Sequence, residues 1–295
     1  MSIPLTQHNP SHFKTQPLRV QATESSLHYE AQGLPINFAQ MLALRCPISI
    51  DDPANFDVRL ANLGVSVRLT LHWAGQAFWV LVRQQRPDRG DQVLKMISGY
   101  VPAHELLLPL HTALQEVAEE CLLEQSNAWF RGRYQDTWLP TPYAPALHYL
   151  EQPHFELSSR SCSVRPIHNS FGPLLERPRA YIHTPTASLQ LVYDLHLTVP
   201  DNAAPQLSLY HVDECLNSEG NLVAQLHPQQ PDLYLIPLHH GQPSDSLYQL
   251  QQGQLHPVHT QNVWLSEGFA EQTGWLVTQE RITWQHWRAQ LQQNQ

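Results

Sequence analysis

Ser98–Glu124 reads SGYVPAHELLLPLHTALQEVAEECLLE, and its second half has the pattern of an amphipathic helix. At about 100° per residue, Leu110, Leu114, Val117 and Cys121 fall on one side, as a core-facing stripe. Glu116, Glu119 and Glu120 fall on the other. Carboxylates three and four positions apart are neighbours on a helix and repel by a few tenths of a kcal/mol. A divalent cation held between them reverses that sign, and hard cations take carboxylate oxygens while keeping waters that a phosphate can displace. The same three residues would also serve as the solvated face of a surface helix.

The approach to this helix separates the two readings. Ala77–Arg83 (AFWVLVR) has the character of a strand, a polar loop QQRPDRGDQ follows, and Val93–Ile97 is a short apolar run ending at Ser98-Gly99. Glu105 lies six residues beyond that glycine. A strand, a glycine turn with an acidic residue, and a helix carrying a glutamate cluster together resemble the Nudix box. That pattern is glycine, five residues, glutamate, seven residues, then arginine-glutamate-aliphatic-any-glutamate-glutamate-any-glycine-aliphatic. Gly99, the five residues Tyr100–His104 and Glu105 match its opening. Glu116-Val117-Ala118-Glu119-Glu120 matches its glutamate core, with Leu123 as the closing aliphatic. Three positions depart from it. The spacer Leu106–Leu114 has nine residues where the family has seven, Gln115 stands for the arginine, and Leu122 stands for the glycine.

Each departure has a physical meaning. A neutral amide at 115 can hydrogen-bond to the glutamates but supplies no counter-charge. Leucine at 122 takes up the backbone of a helix-ending glycine only at a cost. Pro109 inside the long spacer predicts a helix that starts late, with the proline in its first turn and Glu105 displaced from its usual station.

The resemblance implies an α/β (α+β) fold, a Nudix-type mixed-sheet α/β/α sandwich with N- and C-terminal elaborations. It implies metal-assisted attack of water on a diphosphate, with Glu116, Glu119 and Glu120 as catalytic and metal-binding residues for magnesium or manganese. The substrate class is a nucleoside diphosphate linked to another small group. Arg83, Arg86 and Gly99 are the candidate substrate-binding positions, and Arg89 lies close to the same entry. Family members bring one more acid from downstream; Asp194, Asp213 and Glu214 are the candidates here. The lost arginine and glycine favour an alternative, a catalytically inactive Nudix-fold module that binds a ligand or a protein partner.

Composition narrows the partners. A net charge of −9 argues against a nucleic acid polymer, which needs a basic stripe to displace counterions. It leaves room for a small phosphorylated substrate, because a bound cation supplies the missing positive charge. Charged residues are 15% of the chain, below the usual quarter or so, and glutamines and histidines fill the polar surface. Cys46, Cys121, Cys162 and Cys215 form no CxxC pair. That scatter, and the lack of a signal-peptide pattern or membrane-length apolar run, predicts a cytoplasmic protein with no membrane partner. The histidines show no HExxH or other zinc spacing, and P-loop, GxGxxG and GxSxG signatures are absent.

Three segments are predicted. Residues 1–47 are a polar, proline-punctuated N-terminal extension with short strands at Leu18–Ala22 and Leu27–Ala31 and a helix over Asn37–Arg45, acting as a partial subdomain or as the arm of a homodimer. Residues 48–215 are the Nudix-like core, with strands at Val65–Trp73, Phe78–Arg83, Ala187–Val199 and Leu207–Val212. Residues 216–295 are a β-rich elaboration ending in helices at Leu265–Trp275 and Ile282–Leu291. The aromatic stretch Trp129–Tyr143 either walls a pocket or packs as an ordered loop.

Overall fold

The computed structural model describes residues 2–8, 13–86, 91–161, 165–259, 263–266, 275–277 and 281–293. The fold is mixed α/β and mostly strand, with three α-helices among the described residues and one large mixed sheet. No helix among them is long and apolar enough to cross a membrane.

The sheet is built on Asn62–Trp73. Along one edge it runs parallel to Ser188–Thr198, in unbroken register from Asn62 opposite Ser188 to His72 opposite Thr198. Its other edge is shared. Near Trp73 it pairs antiparallel with Gln76–Arg86, through a turn in which Ala74 and Gly75 take φ of 50° and 72°. Near Gly64 it pairs instead with Ile97–Tyr100. Alternation assigns the faces: Val65, Leu69 and Leu71 are wholly buried, as are Leu191, Leu195 and Leu197 opposite them. Each such side chain contributes about 1.5–3 kcal/mol by leaving water.

The N-terminal strands Leu18–Ala22 and Leu27–Ala31 lie where the alternation placed them. They join Phe56–Leu60 and Ile167–Asn169 in a second sheet, so this sheet straddles the boundary drawn at 47/48. Leu18, Val20, Leu27 and Tyr29 belong to the same apolar cluster as the central strands. The helix Phe38–Leu44 buries only Met41 and begins with a capping box between Asn37 and Gln40.

The boundary at 215/216 falls inside the strand Val212–Leu216, which forms a hairpin with Leu222–Leu226. Farther on, Leu233–His239 is hydrogen-bonded along Gln76–Arg86, placing the C-terminal third within the main sheet. Leu265 and Ser266 belong to the strand Trp264–Ser266 rather than to a helix, because Leu265 opposes Ile282 and packs in a cluster with Trp284 and Trp287. The rest of that predicted helix, up to residue 274, lies outside the described residues. The final helix spans Trp284–Gln293, two residues later than predicted at its start. The aromatic stretch is largely ordered strand, Ala128–Tyr134 and Thr137–Trp138.

Candidate metal centre

The glutamate helix spans Pro109–Glu120, with Pro109 at its first position as the sequence predicts. Leu114 and Val117 face the core and Cys121 caps the end. The long spacer before it is anchored by the N-terminal sheet. Tyr29 Oη donates to the Leu106 carbonyl at 3.0 Å, and Asn169 Nδ2 donates to the Leu107 carbonyl at 3.1 Å. Glu105 is held beside the helix, its Oε2 accepting from Thr112 Oγ1 at 2.5 Å. This ties Glu105 to the first turn of the helix.

The helix runs directly into the strand Leu122–Gln125, with Cys121 extended at φ −123°. Leu122 starts that strand, opposite Tyr210, so the backbone cost expected of leucine in the glycine position does not arise. Side chains cover carbonyls that a helix end leaves open. Tyr143 Oη donates to the Glu119 carbonyl at 3.2 Å, and His211 Nδ1 lies 3.2 Å from the Glu120 carbonyl.

Gly99 lies within the strand Ile97–Tyr100, opposite Val65, rather than in a turn. Its need for glycine comes from close approach. A Cβ there would stand 1.7 Å from Glu116 Oε1 and 2.1 Å from Glu116 Cδ. The Glu116 carboxylate therefore rests on the bare backbone of residue 99. Loss of water, then Glu120 and Glu119, raises its pKa well above the ordinary carboxylate value, while Lys95 acts the other way. Glu119 is raised too, chiefly by burial, although Gln115 Nε2 donates to its Oε1 at 2.8 Å and favours the anion. The amide at 115 thus makes the hydrogen bond expected of it.

The missing counter-charge comes from a residue the helix pattern does not reveal. Lys95 Nζ, one strand away, lies 3.2 Å from Glu120 Oε1 and 3.3 Å from Ser98 Oγ. Both partners are largely buried, with side-chain exposures of 12% for Lys95 and 17% for Glu120. The other oxygen, Glu120 Oε2, is buried without a hydrogen-bond partner.

Of the three downstream acids, the fold brings Glu214 to the cluster. Loss of water around its carboxyl, followed by the charges of Glu119 and Glu120, pushes its pKa up to about 7, although the residue as a whole keeps an exposed surface. Asp213 precedes it on the same strand and so points to the opposite face. Asp194 is engaged elsewhere: it is buried, ion-paired with Arg68, and 3.4 Å from Arg179.

Of the arginines proposed to grip substrate, Arg83 has a partner in the fold. Arg83 Nη2 lies 2.6 Å from Asp232 Oδ2, and its backbone N–H donates to the Asp232 carbonyl at 3.0 Å. The pairing of Leu233 with Val82 brings Asp232 alongside Arg83. Arg86 ends its strand opposite Asp91, and Arg89 lies outside the described residues.

Among the described residues, no three histidine, cysteine, aspartate or glutamate side chains already stand as a metal-ligating group. The donor chemistry nevertheless fits a hard divalent cation. Glu116, Glu119, Glu120 and Glu214 offer only carboxylate oxygens, the charges of Glu119 and Glu120 raise the pKa of Glu116 and of Glu214, and one buried oxygen has no hydrogen-bond partner. Searched against protein-family models and curated proteins, the chain matches none.

Proposed function

We propose that the chain is a Nudix-type metal-dependent hydrolase that cleaves a nucleoside-diphosphate-linked small molecule. The observation that supports this best is the buried Glu120 Oε2, which has no hydrogen-bond partner and belongs to a residue whose charge raises the pKa of Glu116 and Glu214. Lys95 pairs with one oxygen of Glu120 only, and crowding several carboxylates beside one lysine is costly, so a binding role for a cation would explain their retention. In this reading the mixed sheet, the glycine strand and the glutamate helix form a Nudix-type α/β/α sandwich. The setting is cytoplasmic and the partner a small phosphorylated molecule.

Glu116, Glu119 and Glu120 would hold magnesium or manganese, which supplies charge neutralisation and polarisation when bound. Gly99 lets the Glu116 carboxylate lie flat against the strand, and Lys95 and Gln115 orient Glu120 and Glu119. Glu214, with a pKa of about 7, is matched to accept a proton from water at neutral pH. The water oxygen bonds to phosphorus, the bridging P–O bond breaks, and the departing phosphate carries away the electron pair.

The rival reading is a binding module without turnover, favoured by the existing ion pair of Lys95 with Glu120. A panel of diphosphate substrates assayed with and without magnesium, beside Glu119→Gln and Glu120→Gln, separates the two. Metal-dependent turnover that disappears in both variants supports hydrolysis. Ligand binding without turnover supports the module.

A further inference from the structure

On Asn62–Trp73, Val65, Val67, Leu69 and Leu71 face the core, and the alternate residues Arg68, Thr70 and His72 face the other way. A cavity of about 850 Å³ lies over that second face, a size that suits a small molecule. Glu116 meets Gly99, the partner of Val65, on the core side, so this cavity and the glutamate cluster lie on opposite faces of one sheet.

The cavity has two chemically different sides. One carries Arg68 and His72, His196 from the next strand, and Arg160 from the strand Tyr149–Arg160 beyond it. The other carries Ala77 and Trp79 with Pro237 and Leu238, where Leu233–His239 pairs with Gln76–Arg86. The one carboxylate among the described wall residues, Asp194, is already ion-paired with Arg68 and lies 3.4 Å from Arg179. Arg160 stands opposite Asp194 in the sheet, yet among the described residues it forms no ion pair. In a chain of net charge −9, a wall with this surplus of cationic groups marks a place for an anion.

The histidines add hydrogen-bonding groups. His72 Nε2 and His196 Nδ1 lie 2.7 Å apart with ring planes 16° from parallel, so one nitrogen carries a proton and the other accepts it. That bond fixes both rings and leaves His72 Nδ1 and His196 Nε2 outside it. Loss of water, then His72 and Arg160, lowers the pKa of His196; Asp194 opposes them and Arg68 acts with them. His239 and His240 bring the imidazoles of the wall to four, but no three metal-ligating side chains converge among the described residues.

We propose that this cavity is a second binding site, for an organic acid whose carboxylate is held by Arg160 and the His72–His196 pair and whose apolar body lies on Trp79, Pro237 and Leu238. A planar head with two oxygens matches the fork of one guanidinium. The apolar side has no use for a bare inorganic anion. The assignment does not depend on the hydrolase reading.

The test is a calorimetric titration of the full chain with phenylacetate in EDTA at neutral pH, beside phenylacetamide and inorganic phosphate. Phenylacetate is expected to bind, and the neutral amide and phosphate at least about tenfold more weakly. Arg160→Gln should weaken phenylacetate binding about tenfold, the equivalent of one charge-assisted hydrogen bond, and Arg160→Glu should weaken it further. Arg160 is exposed at the end of its strand, and circular dichroism checks that both variants fold. Absence of phenylacetate binding overturns the assignment, as does unchanged affinity in the two variants. The amide binding as well as the acid would leave the basic side without a role, and phosphate binding as well would leave the apolar side without one; either result also overturns it.

Discussion

Substituting Gly99 by alanine tests the close approach on which the glutamate cluster is built. The added methyl would stand 1.7 Å from Glu116 Oε1, 2.1 Å from its Cδ and 2.6 Å from its Oε2. An ordinary van der Waals contact begins near 3.4 Å, so the nearer oxygen must move by about 1.7 Å. The carboxylate sits at the end of a flexible side chain, which gives it an escape from the clash. It is also crowded by Glu119 and Glu120, so any escape costs packing or solvation. Overpacking of this kind costs about 1–3 kcal/mol. The larger effect is positional: a ligand displaced by this distance no longer shares a cation with Glu119 and Glu120, and losses of about 10–100-fold in metal affinity are typical of such disruption. Gly99→Ala is therefore expected to unfold at moderately lower urea and to bind magnesium at least about tenfold more weakly by calorimetry. An alanine variant with wild-type magnesium affinity would refute the role assigned to this glycine. Loss of stability with metal affinity intact would reduce the close contact to a packing feature.

Other substitutions probe the charges separately. Lys95→Met leaves largely buried Glu120 without its ion-pair partner and should destabilise the metal-free chain by about 1–3 kcal/mol at pH 8, as read by urea denaturation; added magnesium should recover most of the loss. An undiminished midpoint would show that Lys95 does not carry the counter-charge. Glu214 costs more to ionise in the folded chain than in the unfolded one, because its pKa rises from 4.5 to about 7. The folded state then binds more protons, so the contribution of Glu214 to metal-free stability is lost as pH rises from about 4.5 through 7. Thermal unfolding in EDTA from pH 5 to 8 should show that decline, and Glu214→Gln should flatten it. Arg83→Gln strands Asp232 and should lower stability by about 1–3 kcal/mol while leaving KM for any hydrolysed diphosphate unchanged. A raised KM would return Arg83 to the substrate.

Local pattern alone located most of the elements around the cluster. The 3.6-residue period placed Leu114, Val117 and Cys121 inward, and Pro109 marked the first turn, because both signals act within one helix. The strands Leu18–Ala22 and Leu27–Ala31 fall to the residue where the sequence predicts them, since a half-buried strand writes its register into its side chains. The motif resemblance places Gly99 and Glu116 in one pattern, and in the fold they are in contact. The reason differs from the expected one: Gly99 is needed for contact within a strand rather than for a turn.

Pairings between distant segments could only come from tertiary structure. Lys95 meets Glu120 because the strand Asp91–Lys95 passes the end of the glutamate helix, and Glu214 arrives on a hairpin formed a hundred residues or so later in the chain. Arg83 is taken by Asp232 and Asp194 by Arg68 because the sheet fixes their neighbours, and a charge in a linear chain carries no record of its partner. Strands on either side of residues 47 and 215 likewise hydrogen-bond into common sheets, a pairing that no single segment records. Sequence periodicity reports which face of an element is buried, whereas only the packed fold decides which charged groups share that burial.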